Sequence, residues 1–295
     1  MTIKKAIPDL PDDPDLFKSL MQRPHIAWPT VAILLAAFTL FGLTIFAYAA
    51  DVLSLAWAVT FNSIATYLAF TPIHDATHNA VSSNRSINDW VGRLGTTLLS
   101  PVPFFRTFRY MHMQHHRFTN DEEKDPDMYC GSGPVWLLPF KWATLEFNYF
   151  RLYLAPETFN SRPASERREL FLGLCFGITV LAIVIWMGWL PEYLLLFLVP
   201  TRIANYFLSI AFDFLPHYTH DTPGKDDPFR STSNRVGMEW LLTPLLLFQN
   251  YHLVHHLYPT APFYRNLKLW NARRQYHESK NPAITDTFSL RPREG

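Results

Sequence analysis

Residues 52–78 read VLSLAWAVTFNSIATYLAFTPIHDATH: an uncharged, mostly apolar run from Val52 to Ile73, then two histidines four residues apart. A helix of about 20 such residues, rising about 1.5 Å each, crosses a hydrocarbon core of about 30 Å. The stretch therefore reads as a membrane helix whose end delivers imidazoles to the bilayer surface. Outward from it, Trp28–Ala50 is equally uncharged and is separated from it only by Asp51. Phe171–Leu190 and Tyr193–Leu215 repeat the arrangement across Pro191-Glu192, with Arg202 and Asp213 as the charged exceptions. The expected fold is an all-α membrane protein in one domain over residues 1–295, with four transmembrane helices near 28–50, 52–73, 171–190 and 193–215. These form two hairpins, and a helical cap made from 1–27, 74–170 and 216–295 carries a histidine-rich di-metal site. Buried helices of a soluble protein are the competing reading.

Charge sets the orientation. Of 26 Lys and Arg, four precede the first run, eleven lie between Ile73 and Glu169, and ten follow Leu215. Only Arg202 remains, and neither short hairpin turn carries any. Positive residues mark the cytoplasmic side, so both termini, the central loop and the histidines are expected there. A net charge of +1 gives no reason to expect a nucleic-acid partner. Met1–Ala27 is polar and proline-rich, without the apolar core of a cleavable signal peptide. Cys130 and Cys175 fall in different environments and read as inert thiols rather than a disulfide or metal motif. Leu94–Phe105, Val135–Phe150 and Trp240–Leu247 are too short or too interrupted to span and read as interfacial or cap segments. Beyond Trp270 the polar tail is expected to be poorly ordered.

Eight of the twelve histidines fall into three boxes: His74 and His78; His112, His115 and His116; His252, His255 and His256. Spacings of three and four residues project from one side of a helix. Eight imidazoles exceed what one transition metal takes, so the boxes point to two ions. His217 and His220, at the end of the fourth run, could bring the share to four or five per ion. That leaves positions open, as a catalytic site needs and a structural zinc site does not. A histidine-rich zinc store or transport site, and a non-catalytic metal-binding membrane protein, are the alternatives.

The order H-D-x-x-H, H-x-x-H-H, H-x-x-H-H around two membrane hairpins closely resembles the integral-membrane fatty acid desaturase and hydroxylase superfamily, from about Trp28 to Trp270. The resemblance implies two non-haem irons, dioxygen as co-substrate, and attack on an unactivated C–H bond. It implies electrons from a separate ferredoxin, rubredoxin or cytochrome b5 type partner. The residues agree: no side chain supplies such redox power, so a cofactor must. No nucleotide-binding glycine fingerprint or fused cytochrome b5 signature is present, so the donor is external.

By the same resemblance His217 completes one metal's shell. Asp213, one helical turn earlier, stands where several members carry asparagine, and it is a candidate near-site group. His220 could share the face of His217 or sit in a polar loop. Asp75, Asp121, Asp125 and Asp127 could orient ligand imidazoles, although the acidic loop also reads as solvated turn chemistry. Asn250 invites the same thought. Arg202 is expected to snorkel, to pair with Glu192 or to meet a polar substrate end. His25 and His277 read as surface residues. A lipid-soluble substrate is expected: an acyl chain to be desaturated, or a carotenoid ring to be hydroxylated or ketolated, which also fits the H-D-x-x-H box and Asp125-Pro126-Asp127.

Overall fold

The computed structural model describes residues 11–219 and 221–293, so His220 lies outside the described residues. The chain is mostly helical. In order come α1 (Pro14–Met21), α2 (Trp28–Ala49), α3 (Leu55–Thr77), α4 (Arg85–Leu99), α5 (Phe105–Phe118), α6 (Met128–Gly131), α7 (Leu138–Leu154) and α8 (Pro156–Ser161). Then follow α9 (Ala164–Trp186), α10 (Leu190–Tyr193), α11 (Val199–Leu208), α12 (Glu239–Leu245), α13 (His252–Leu257), α14 (Asn266–Ala272) and α15 (Arg274–Glu278). Helices α10 and α11 are joined by a π-type turn and followed by another, so that Leu190–Phe214 is one continuous helical run.

Among the described residues three helices are long and apolar enough to cross a membrane: Trp28–Ala49, Ala164–Trp186 and Leu190–Phe214. Helix α3, the second expected span, is long enough but more polar. The reason is its position. Fourteen of its 23 residues are buried, against four of 22 in α2 and three of 23 in α9. Helix α3 is the central post, packed on α2, α4 and α11. Its polar side chains bond carbonyls of its neighbours: Asn62 Nδ2 donates to Leu196 O at 2.7 Å and Thr66 Oγ1 to Leu98 O at 3.2 Å. A buried amide or hydroxyl is tolerated when it is so paired. The third helix begins seven residues earlier than expected, at Ala164, and takes in Arg167, Arg168 and Glu169.

The expectation of an all-α chain needs one correction. A two-stranded parallel sheet pairs β1 (Asn234–Val236) with β2 (Ile284–Asp286). The tail after Trp270 is therefore ordered as far as residue 293. His277, expected at the surface, is fully buried. It stacks on Trp270 at 4.7 Å, and its ring nitrogens bond Tyr258 Oη at 2.7 Å and Trp270 O at 3.1 Å. His25 is exposed as expected.

Candidate metal centre

The helical period sorts the imidazoles. At about 100° per residue, a histidine four positions on lies about 40° from the first, while one three positions on lies about 60° away in the opposite sense. Each i, i+4 pair therefore serves one cluster and the odd residue of each triple serves the other. One group gathers His74, His78, His112, His116 and His255, with one ring nitrogen from each lying within 4.8 Å of the others. The second gathers His115, His217, His252 and His256 on the same criterion. Helix α5 thus gives His112 and His116 to the first cluster and His115 to the second. Helix α13 gives His252 and His256 to the second and His255 to the first. The three rings of a box do not share one centre, as a single helical face would have them do.

Within the first cluster, Nε2 of His112 stands 2.9 Å from that of His78 and 3.1 Å from that of His116, which lies 3.0 Å from Nε2 of His255. In the second, His252 Nε2 lies 3.2 Å from that of His217 and 3.1 Å from that of His256, itself 3.3 Å from His115 Nε2. Imidazoles sharing one ion at about 2.1 Å stand about 3 Å apart, so the spacing fits metal ligation. A neutral ring has one N–H, and converging Nε2 atoms cannot all be satisfied by one another. His74 carries the sharpest sign: it is buried and neither ring nitrogen has a hydrogen-bond partner. An unpaired buried polar group costs about 1–3 kcal/mol, which ligation of a metal would relieve. The clusters share a wall, where His116 and His256 stack with centroids 4.2 Å apart.

Electrostatics keep most rings ready to ligate. Burial holds His78, His112, His116, His252, His255 and His256 well below the usual imidazole range, so they are neutral with a free lone pair. His115 differs. Burial alone would lower it too, but Asp125 and Asp127 outweigh that and raise it to about 9. Asp125 Oδ1 lies 2.9 Å from His115 Nδ1, and Asp127 Oδ2 lies 3.3 Å from it. Nε2 is thereby left for the cluster, the arrangement in which a carboxylate fixes the tautomer of a ligand histidine.

The acidic loop is thus built rather than solvated. Asp125 also accepts from Asn120 N at 2.7 Å and Asp127 N at 2.9 Å, and Tyr149 Oη bonds Asp127. Asn120 in turn donates to Ser231 O at 2.7 Å and Thr222 O at 2.9 Å. Asp121 takes the turn role, accepting from Glu123 N and Lys124 N. Sequence reading missed Gln249, whose Oε1 lies 3.1 Å from His252 Nδ1. Its place three residues before His252 was the available signal, and Asn250 drew notice instead. Asn250 has a structural role, bonding the backbone of Arg235 at β1. Ser231 O lies 3.3 Å from His217 Nδ1, a contact with no sequence signature.

Two expectations are corrected. The carboxylate of Asp75 takes up Thr30 Oγ1 at 2.7 Å and Phe263 N at 3.2 Å, so it ties α3 to α2 and to the C-terminal segment rather than orienting a histidine. Arg202 pairs with Glu146 of α7, not with Glu192. Glu146 also accepts from Ser100 Oγ at 2.7 Å and Asn205 Nδ2 at 3.1 Å. Asp213 joins neither imidazole cluster; it lines a cavity with His112, Tyr149, Phe70, Phe108 and Leu208. That cavity is mostly apolar, and Glu146 and Asn205 are also in its wall.

Comparison with known proteins agrees with this site. The chain is 24% identical over 297 residues to the sn-1 oleoyl-lipid 12-desaturase of Arthrospira platensis, covering 88% of this chain and 80% of that protein. It is 29% identical over 201 residues to a beta-carotene ketolase of Paracoccus sp. (strain N81106 / MBIC 01143), covering 66% of this chain and 71% of that protein. Against the sphingolipid delta(4)-desaturase/C4-monooxygenase DES2 of Homo sapiens it is 27% identical over 226 residues, covering 72% and 63%. Residues 52–287, which contain all three boxes and His217, match the model of the family described as "Fatty acid desaturase", and the chain belongs to that family.

Proposed function

We propose that this membrane protein is an oxygen-dependent oxidoreductase that desaturates a fatty acyl chain, with two irons held by nine imidazoles. The observation that carries the reading is the sorting of those imidazoles into adjoining sets of five and four beside an apolar cavity. His74, His78, His112, His116 and His255 would hold one ion, and His115, His217, His252 and His256 the other. When bound, the pair supplies with dioxygen the oxidising power for C–H cleavage that no side chain has. The chain's own part is positional. Asp125 and Asp127 hold the His115 ring, Gln249 and the Ser231 carbonyl hold His252 and His217, and Phe70, Phe108 and Leu208 shape the mostly apolar cavity beside His112. Asp213 lies in the cavity wall as a neighbour of the reacting region rather than a ligand.

The whole chain acts in this reading as one membrane domain with α3 as the fourth span, and with the cap and both termini on the cytoplasmic side. The cap would meet a separate electron donor of ferredoxin, rubredoxin or cytochrome b5 type. The match to a beta-carotene ketolase supports a second reading, oxidation of a carotenoid ring on the same scaffold. Expression in a bacterium that also makes β-carotene separates the readings. New double bonds in the total fatty acids support the first, polar carotenoids the second. Bound metal with neither product points to a non-catalytic metal protein. In the active case His255→Ala should abolish turnover and lower metal content, and full activity in that variant would remove the metal assignment.

A further inference from the structure

Helix α9 is the least supported of the long helices: three of its 23 residues are buried, and it meets the rest chiefly through α5 and α10. Its glycines seat it on one strip of backbone. A Cβ on Gly173 would stand 2.2 Å from the carbonyl oxygen of Pro103, and one on Gly177 2.7 Å from that of Pro101. Beside this seam two cavities of about 590 and 790 Å3 follow one another, and Thr97 and Phe176 wall both. The first opens among Arg93, Arg106 and Arg168. The second lies between α2, α9 and the start of the Leu190–Phe214 run, against Phe41, Val180, Val184 and Phe197, with Asp51 and Glu192 also in its wall. Neither shares a lining residue with the cavity beside His112.

The charged end has an excess of cations. Asp89 pairs with Arg109 at 2.7 Å and with Arg106 at 3.3 Å, while Glu169 pairs with Arg93 at 2.7 Å and with Arg106 at 3.2 Å. Arg168 is exposed and has no carboxylate partner among the described residues. In the wall of the first cavity three guanidiniums, Arg93, Arg106 and Arg168, thus face one carboxylate, Glu169. From Arg168 to Val184 the trough runs about 24 Å along α9 at about 1.5 Å per residue. That accommodates a headgroup and a chain descending through one leaflet, about half of a 30 Å core.

We propose that this trough binds one anionic phospholipid of the surrounding bilayer. Its phosphate sits at Arg168 beside Arg93 and Arg106, and an acyl chain passes Thr97 and Phe176 into the gap between α2 and α9. An apolar gap facing a bilayer is filled by chains, and guanidiniums recognise phosphate through bidentate hydrogen bonds. The lipid then supplies the packing between α2 and α9 that the protein lacks.

The test uses the full chain purified in a neutral detergent and mixed with dioleoyl phosphatidylglycerol or dioleoyl phosphatidylcholine. Retained lipid is counted by native mass spectrometry. Phosphatidylglycerol should be retained several-fold better and should raise the melting temperature. Arg168→Gln should bring its retention down to that of phosphatidylcholine, whereas Thr97→Trp, which fills the shared wall, should lower retention of both. Equal retention of the two lipids by the native protein overturns the proposal, and so does unchanged retention in either variant. Displacement of phosphatidylglycerol by inorganic phosphate at equal concentration also overturns it, since the site would then be one for the free anion.

Discussion

Replacing Asp125 by asparagine should weaken one metal site and spare the other. The carboxylate accepts three hydrogen bonds, from His115 Nδ1 at 2.9 Å, Asp127 N at 2.9 Å and Asn120 N at 2.7 Å. An amide of the same shape has one oxygen, so its NH2 must face at least one of these donors. A lost bond to a charged group is worth about 1.5–3 kcal/mol. Loss of the carboxylate behind a ligand imidazole lowers metal affinity about 10–100-fold, or about 1.4–2.7 kcal/mol at 1.36 kcal/mol per decade. Of the two imidazole clusters His115 belongs to the set of four, its other ring nitrogen facing Asp125 and Asp127, and among the described residues no hydrogen bond joins Asp125 to a member of the set of five. Metal per chain should therefore be followed by plasma mass spectrometry through a chelator titration. Asp125→Asn should lose one ion at 10–100-fold lower chelator and keep the other at the native midpoint. Glu122→Gln, in the exposed part of the same loop, serves as the control. Equal loss of both ions, or a native titration, would refute the assignment of Asp125 to one centre.

The metal-free protein should be most stable slightly above neutrality, at about pH 7.3, where the unfolded imidazoles together bind about one proton, as many as His115 holds in the folded chain. His115, raised to about 9, contributes stability that is complete below about 6.5 and lost as pH climbs through 9. The depressed imidazoles act oppositely, since the unfolded chain takes up more protons as pH falls below about 6.5. Chemical unfolding of the stripped protein across this range checks both limbs, and a curve flat from about pH 7.5 to 9 would contradict the His115 contact. Metal affinity of the second cluster should rise with pH toward 9, because binding displaces the His115 proton. Gly173→Ala should destabilise by about 1–3 kcal/mol through overpacking against Pro103, read as a lowered melting temperature; an unchanged value would show that α9 can shift freely. Glu146→Ala leaves Arg202 without its ion partner and should cost up to about 3–5 kcal/mol. Glu146→Leu with Arg202→Met should recover most of that loss, and failure to recover would assign the pair more than a packing role.

Much of the site was legible because its signals are local. Pairs such as His74 and His78 share a helical face by spacing alone, and the apolar runs beside them announce where that face emerges. The division into five and four followed from the same period, although counting rings per box concealed it. The role of Asp125 and Asp127 was open in the sequence, because an Asp-Pro-Asp loop is equally ordinary turn chemistry until His115 is placed against it. Asp75 shows the converse: next to a ligand histidine in sequence, it points about 100° away on the helix and serves Thr30 and Phe263.

The sequence by itself determined the apolar runs, the imidazole faces and their order, because hydropathy and helical period are properties of short stretches of chain. Tertiary structure alone decided what those faces meet. It made α3 the buried post whose polar residues bond Leu196 and Leu98, and it paired Arg202 with Glu146, 56 residues away in sequence. It also drew the polar tail into a sheet that buries His277. These depend on which elements become neighbours, and burial makes each such polar group find a partner that no local pattern names.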